Sequence, residues 1–385
     1  MKRVKRKERK QRRTLKEDEN DPFSIIPLDV IVEILLKVPT KSVASLALVS
    51  KQWLSIISGK YFISQYLQAR SSSRLLFTVF SPFEEGQFLH SCSQVDPSSD
   101  HHTVNITPDK KHVHDFSPPI RGLICRQRES RVTIGNPTTG QFLTLPRLKT
   151  RRRGVLSFFG YDPVNDVYKV LCMTVLQGRQ KRGSHSRVVS EEHQVYTLGE
   201  GQRKWRMVEC KHPHLPPTPC VYTKGICING VLYYYAWIQN KGALISFNLI
   251  SEEFNVIKLP EDIHRLVNYT GKVAITSCLT ANGEVHLWVL EDASKQEWSK
   301  VSIVVPIWRE LVEKNHVFSF RGTVSTGELV FSPFYTNTDR PFFFIRYNLK
   351  ENKVQKVVVS EFGGLCRYYK QLYFDHVESP MFCQM

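Results

Sequence analysis

Apolar residues in the first seventy positions recur with a helical period. Ile31, Ile34, Leu35 and Val38 fall at i, i+3, i+4 and i+7, which places them along one side of a helix that Pro39 ends. Thr40 is placed to cap a second helix carrying Val43, Leu46, Ala47 and Val49. A third is expected from Ser50, with Trp53, Leu54 and Ile57 on one side, before Gly59 breaks it and Tyr61–Leu67 adds a last short helix. A bundle this small has a thin core and often depends on a partner.

Past Ser71-Ser72-Ser73 the period changes from helical to extended. Short runs rich in β-branched and aromatic residues, such as 75–80, 168–175, 231–237 and 342–347, alternate with turn signals, and only 307–314 reads as helical. Phe247-Asn248-Leu249 followed by Phe254 and Ile257 is echoed in the same register by Tyr347-Asn348-Leu349, Val354 and Val357. Gly-containing turns at Asn229-Gly230, Asn282-Gly283 and Thr326-Gly327 open units spaced close to the ~40–50 residues of a four-stranded propeller blade. The expected architecture is an α+β multidomain chain: a three-helix bundle over 21–70 and an all-β, propeller-like domain over 75–360. A basic tail over 1–20 precedes them and a terminal segment over 361–385 follows. A distorted sandwich is the alternative for the β domain.

The 385 residues are 41% hydrophobic and 23% charged, ordinary values for a globular chain. No window approaches the ~20 uninterrupted apolar residues of a membrane span, and the start lacks a secretory apolar stretch. Nine cysteines without paired spacing argue against a disulfide framework and for a reducing compartment. The net charge of +17 is the unusual figure, and residues 1–19 alone hold ten Lys or Arg against four Asp or Glu. That tail is too polar to order itself, and Lys2–Arg13 reads as a nuclear-import signal, pointing to nucleus and/or cytoplasm. Smaller basic clusters sit at 151–153 and 179–182. Cys210, His212, His214 and Cys220 are metal-ligand types, but a Pro-rich stretch without a Cys-x-x-Cys knuckle reads as an exposed polar loop, and no metal is expected there.

The stretch from Ile26 to Trp53 resembles the F-box motif closely. It shows the hydrophobic-Pro start Ile26-Pro27, the acidic Asp29, the Ile34-Leu35 pair, the Val38-Pro39 step, Lys41-Ser42, and the Val49-Ser50-Lys51-Gln52-Trp53 finish. Ile26 stands where the family usually has Leu, Ser45 where it usually has Arg, and Leu46 where Phe or Cys is common. The resemblance implies docking on a Skp-type adaptor, and through it on a cullin-RING scaffold, by helix-in-groove burial. Pro27, Leu28, Ile31, Ile34, Leu35, Leu36, Val38 and Pro39 belong either to that face or to the bundle core, and Lys41, Ser42, Val49 and Trp53 complete the block. The motifs Pro119-Ile120-Arg121-Gly122-Leu123-Ile124-Cys125, Asn136-Pro137-Thr138-Thr139-Gly140 and Gly160-Tyr161-Asp162-Pro163-Val164-Asn165-Asp166 are similar to the F-box-associated domain of plant F-box proteins. That similarity runs over roughly 77–359. It implies a domain that binds the protein to be ubiquitylated, and a chain that serves as the recognition subunit of a ubiquitin ligase.

Other functions find less support. No nucleophile elbow, phosphate loop or His-Glu-x-x-His pair is present, so a non-catalytic chain without cofactors is expected. The pairs His101-His102, His112-x-His114 and His212-x-His214 fall in turn-rich stretches expected to be exposed. A nucleic-acid-associated role would use the basic tail, which lacks interleaved aromatics. A carbohydrate-binding role would use Tyr233-Tyr234-Tyr235 and Trp237, half of which alternation sends into a core.

Overall fold

The computed structural model describes residues 26–69, 73–81, 86–107, 115–150, 154–175, 190–199, 204–214, 225–238, 241–261, 265–312, 317–334, 341–359 and 368–381. The tail over 1–20, the clusters at 151–153 and 179–182, His112, His114 and Cys220 lie outside them. The chain divides into two compact units at residue 70.

Among the described residues the first unit holds four helices: α1 (Leu28–Lys37), α2 (Thr40–Leu46), α3 (Lys51–Ile57) and α4 (Lys60–Ala69). Prolines set the entries of the first two, with the Pro27 carbonyl accepting from the Val30 and Ile31 amides and the Pro39 carbonyl from that of Val43. Ser50 caps α3 through its hydroxyl, which accepts from the Trp53 amide at 3.2 Å. Thr40 does not cap α2. It is the first helical residue, and its buried hydroxyl pairs with that of Tyr66 at 3.0 Å, tying α4 back to α2. A buried hydroxyl without such a partner would be costly, so this pair fixes where the two helices meet.

The second unit is a six-bladed β-propeller. Its sheets are β23-β1-β2-β3, β4-β5-β6, β7-β8-β9-β10, β11-β12-β13-β14, β15-β16-β17-β18 and β19-β20-β21-β22, all antiparallel. They comprise β1 (Arg74–Ser81), β2 (Gly86–Ser93), β3 (His102–Thr107), β4 (Ile124–Arg128), β5 (Arg131–Asn136) and β6 (Gln141–Thr144); β7 (Gly154–Asp162), β8 (Val167–Val175), β9 (Ser190–Thr197) and β10 (Arg206–Val208); β11 (Ile226–Ile228), β12 (Val231–Ile238), β13 (Lys241–Asn248) and β14 (Phe254–Lys258); β15 (Arg265–Tyr269), β16 (Lys272–Thr276), β17 (Glu284–Asp292) and β18 (Glu297–Val304); and β19 (Phe318–Thr323), β20 (Leu329–Pro333), β21 (Phe342–Asn348), β22 (Lys353–Val359) and β23 (Tyr368–His376). Each neighbouring pair of blades shares an apolar cluster. Leu76, Phe116 and Ile124 join the first to the second, and Ile134 and Phe159 the second to the third. Tyr234 with Phe158, Leu244 with Leu266, Leu287 with Phe331, and Phe344 with Phe77 continue around the ring. Six filled seams leave no open end, which excludes the sandwich.

The ring closes with the segment expected to lie beyond the β domain. Strand β23 pairs with β1, Phe77 opposite Leu372, so the first blade is built from both ends of the domain and the expected boundary at residue 360 is too early. Past β23 the chain crosses to the second blade, where the Asn136 amide donates to the carbonyls of Ser379 and Met381 at 2.9 Å each. Gly122, at φ +84°, permits this approach, since a Cβ there would lie 2.4 Å from that of Ser379.

A recurrent turn underlies the repetition seen in the sequence. Asn136, Asp162, Asn248, Asp292 and Asn348 each accept from the backbone amides two and three residues on, and Asp96 from the amide of Ser98. Four residues past each one is a left-handed residue: Gly140, Asp166, Glu252, Gln296, Asn352 and Asp100. Every blade therefore carries one such turn. The three Gly turns used as markers are not equivalent. Those at 229 and 326 join the first two strands of their blades, whereas 282 lies between the second and third strands of its own; Thr270-Gly271 is the matching turn there. The expected helix at 307–314 is shorter, α5 (Trp308–Leu311), and Ile307 before it is left-handed.

Two buried imidazoles of the first blade predict an acid-sensitive fold. Burial, then the charge of Arg74, pushes the His376 imidazole down to about 3, and burial, then His101, pushes His90 down to about 4. Both folded values lie below the unfolded 6.5, so the unfolded chain binds more protons across the interval between. Stability is expected to fall as pH drops from about 6.5 towards 4. In urea titrations at several pH values, His376→Gln should show a shallower decline than the native chain, and equal slopes would contradict the assignment.

Candidate functional site

Helix α1 is apolar on two sides, and the structure separates them. Ile31, Val32 and Leu35 are buried in the bundle, while Leu28 and Ile34 are each 52% exposed and Val30 is 44% exposed. Ile34 is therefore not part of the core stripe. Its neighbour one turn back is Val30, at i−4, so the outward face has its own apolar pair. Leu36 and Val38 are half-buried, and the Val38 carbonyl accepts from the Tyr66 hydroxyl at 3.3 Å. Pro27 and Pro39 are exposed at the two helix entries.

A second apolar exposure lies where α2 passes into α3. Leu48 is 73% and Val49 71% exposed. Lys41 and Ser42 are exposed on α2, and Trp53 is half-buried on α3. The sequence reading included Val49 and missed Leu48, Val30 and Val32. Leu48 carries a usable signal, since it falls outside the i, i+3, i+4 stripe of Val43, Leu46 and Ala47. Ser45 is exposed, and its hydroxyl turns back to the Lys41 carbonyl at 3.0 Å, so no cation stands where the motif usually has Arg.

Each of these large apolar side chains held outward forgoes the free energy that burial would return. The exposed lysines Lys37, Lys41 and Lys51 interleave with them, and Asp29 and Glu33 are exposed on α1 as well, so the exterior carries both signs of charge.

The other candidates fare differently. The aromatic run of β12 is consumed by packing: Tyr234 is fully buried and stacked on Phe158 at 4.3 Å, and Tyr233 packs on the opposite seam. Tyr235 and Trp237 meet edge to face at 5.4 Å. Of the paired histidines, His101 and His212 are exposed as expected and His102 is half-buried, but His214 is fully buried, which corrects the expectation for that residue alone. The His214 ring is held inward by hydrogen bonds to the His212 carbonyl at 2.7 Å and the Tyr234 hydroxyl at 2.8 Å. Among the described residues no helix is long and apolar enough to cross a membrane.

Comparison with known proteins agrees with this division. Residues 23–65 match the F-box domain, and residues 74–377 match the F-box associated beta propeller domain. An F-box/kelch-repeat protein of Arabidopsis thaliana is 48% identical over 383 residues, covering 95% of each chain. The F-box protein DOR of the same plant is 33% identical over 385 residues, covering 94% of each. Among solved structures, TolB from Acinetobacter baumannii aligns over 82% of this chain and 70% of its own at 10% identity, with a TM-score of 0.45. With both domains matched in order and relatives alike along nearly their whole length, the chain belongs to the F-box proteins that carry an F-box-associated β-propeller domain.

Proposed function

We propose that this chain is the substrate-recognition subunit of a Skp–cullin–F-box ubiquitin ligase. The observation that carries the reading is the outward apolar set of Leu28, Val30, Ile34, Leu48 and Val49 on an otherwise ordinary helical unit. F-box domains generally dock on Skp-type adaptors, and these residues supply a face of the right chemistry. Pro27 and Pro39 fix the entries of α1 and α2, so the face is ordered before it binds, which lowers the cost of association. Ile31 and Leu35 hold α1 from behind and act through the fold.

In this role the chain performs no bond chemistry of its own, as is typical of the family. The propeller holds a target protein while the adaptor and cullin present the ubiquitin-charged enzyme, so the contribution is proximity. Capture from plant cells under proteasome inhibition tests it. A chain carrying Leu28→Ala and Val49→Glu should retain its target while losing the adaptor, and that target should carry less ubiquitin than on the native chain. Equal ubiquitylation on both would overturn the reading.

A further inference from the structure

Strand β10 is only three residues long, and none of its side chains is buried. It pairs with β9, Val208 opposite His193. Something beyond the ladder must hold this edge, because the chain immediately after it turns inward and buries His214 completely.

What it meets there is a cluster of ligand-type side chains. His193, Cys210 and His214 each offer one donor atom, and the three atoms lie within 4.8 Å of one another. Cys210 Sγ is 3.8 Å from His214 Nδ1. A tetrahedral zinc with ordinary bond lengths would set sulfur and nitrogen about 3.5 Å apart, so a movement of a few tenths of an ångström closes that pair. The carbonyl oxygen of His212 lies 3.3 Å from the sulfur and 2.7 Å from the same nitrogen, making it the nearest fourth donor. One wall is aromatic: Phe254 lies 4.9 Å from the His193 ring and packs on Phe247 at 4.5 Å.

We propose that His193, Cys210 and His214 form a structural zinc-class metal site that pins the segment following β10 to strand β9 of the third blade. The hydrogen bonds show what metal would replace. Without it, the Cys210 thiol and the His214 Nδ1–H both donate to the His212 carbonyl, and His214 Nε2 accepts from the Tyr234 hydroxyl at 2.8 Å. Both donated protons therefore point into one place. On binding a divalent cation the thiol proton passes to solvent and the thiolate coordinates. The His214 proton moves to Nε2 and is donated to the Tyr234 oxygen, so that outer hydrogen bond survives with its direction reversed. One thiolate and two imidazoles select borderline ions such as zinc or cobalt(II) and pass over magnesium and calcium. The sequence reading missed the site because it sought partners within the loop, while His193 comes from a strand seventeen positions before Cys210.

Cobalt(II) titration of the purified, chelator-treated full chain is the test. A thiolate-to-cobalt band in the near ultraviolet with tetrahedral visible bands, saturating at one equivalent and bleached by zinc, is expected. Cys210→Ser should abolish the near-ultraviolet band, and Cys278→Ser, at an exposed thiol elsewhere, should leave it unchanged. Zinc should raise the thermal midpoint of the native chain and of Cys278→Ser. Absence of a thiolate band in the native chain at one equivalent overturns the proposal whether or not the variants fold. So does a band that persists in folded Cys210→Ser.

Discussion

Ending the chain after residue 366 is expected to abolish the cooperative unfolding transition of the propeller. That truncation removes β23, and with it the innermost strand of the first blade. Strand β1 would lose its ladder on one side, and the seam between the last and first blades would lose Leu372 and the packing of Phe374 against Phe344. Asp375 would go too, with its hydrogen bonds to Gln94 and to both the amide and hydroxyl of Ser325, which link those same two blades. An open propeller exposes two blade faces at once, and the loss is on the order of the whole ~5–15 kcal/mol that stabilises a domain. Calorimetry or urea unfolding of the truncated chain should show no sharp transition. Leu372→Ala, a milder probe of the same seam, should cost about 2–5 kcal/mol and keep a single transition. A truncated chain that melts as sharply as the native one would mean that the ring does not close through β23.

Replacing Leu28 by Ala and Val49 by Glu together should weaken adaptor binding by at least about thirty-fold, the equivalent of one lost hot spot at ~2 kcal/mol. Both side chains are mostly exposed, so the bundle should keep its stability, and surface changes of this kind ordinarily stay within about 0.5 kcal/mol. Leu35→Ala makes the contrast. Leu35 is buried, so its truncation should lower the stability of the helical unit by about 2–5 kcal/mol and affect binding only through that loss. Circular dichroism melts beside adaptor titrations separate the two effects. A double variant that binds like the native chain would remove Leu28 and Val49 from the docking face.

Much of the helical unit was legible because its boundaries are written in local chemistry. Pro27, Pro39, Ser50 and Gly59 mark ends by steric and hydrogen-bonding rules that act within a few residues. The sorting of α1 into inner and outer faces was not legible, because Ile31, Val32 and Leu35 on one side and Leu28, Val30 and Ile34 on the other are equally apolar. An outward apolar face looks like a core until the core is seen. In the propeller, the capped turns at Asn136, Asp162, Asn248 and Asn348 repeated visibly because the same backbone geometry needs the same side-chain oxygen. Phasing failed at Asn282-Gly283, since a Gly turn serves any hairpin of a blade equally well. Strand β23 was missed for a deeper reason. Its partner β1 lies nearly three hundred residues earlier, and no local signal reports a pairing of that range.

The central claim is that the helical unit docks on a Skp-type adaptor, and calorimetric titration of the full native chain with that purified adaptor tests it most directly. Saturable binding at one adaptor per chain, with the negative heat-capacity change of apolar burial, is the expected result. No heat and no co-elution at concentrations where the chain is folded would contradict it.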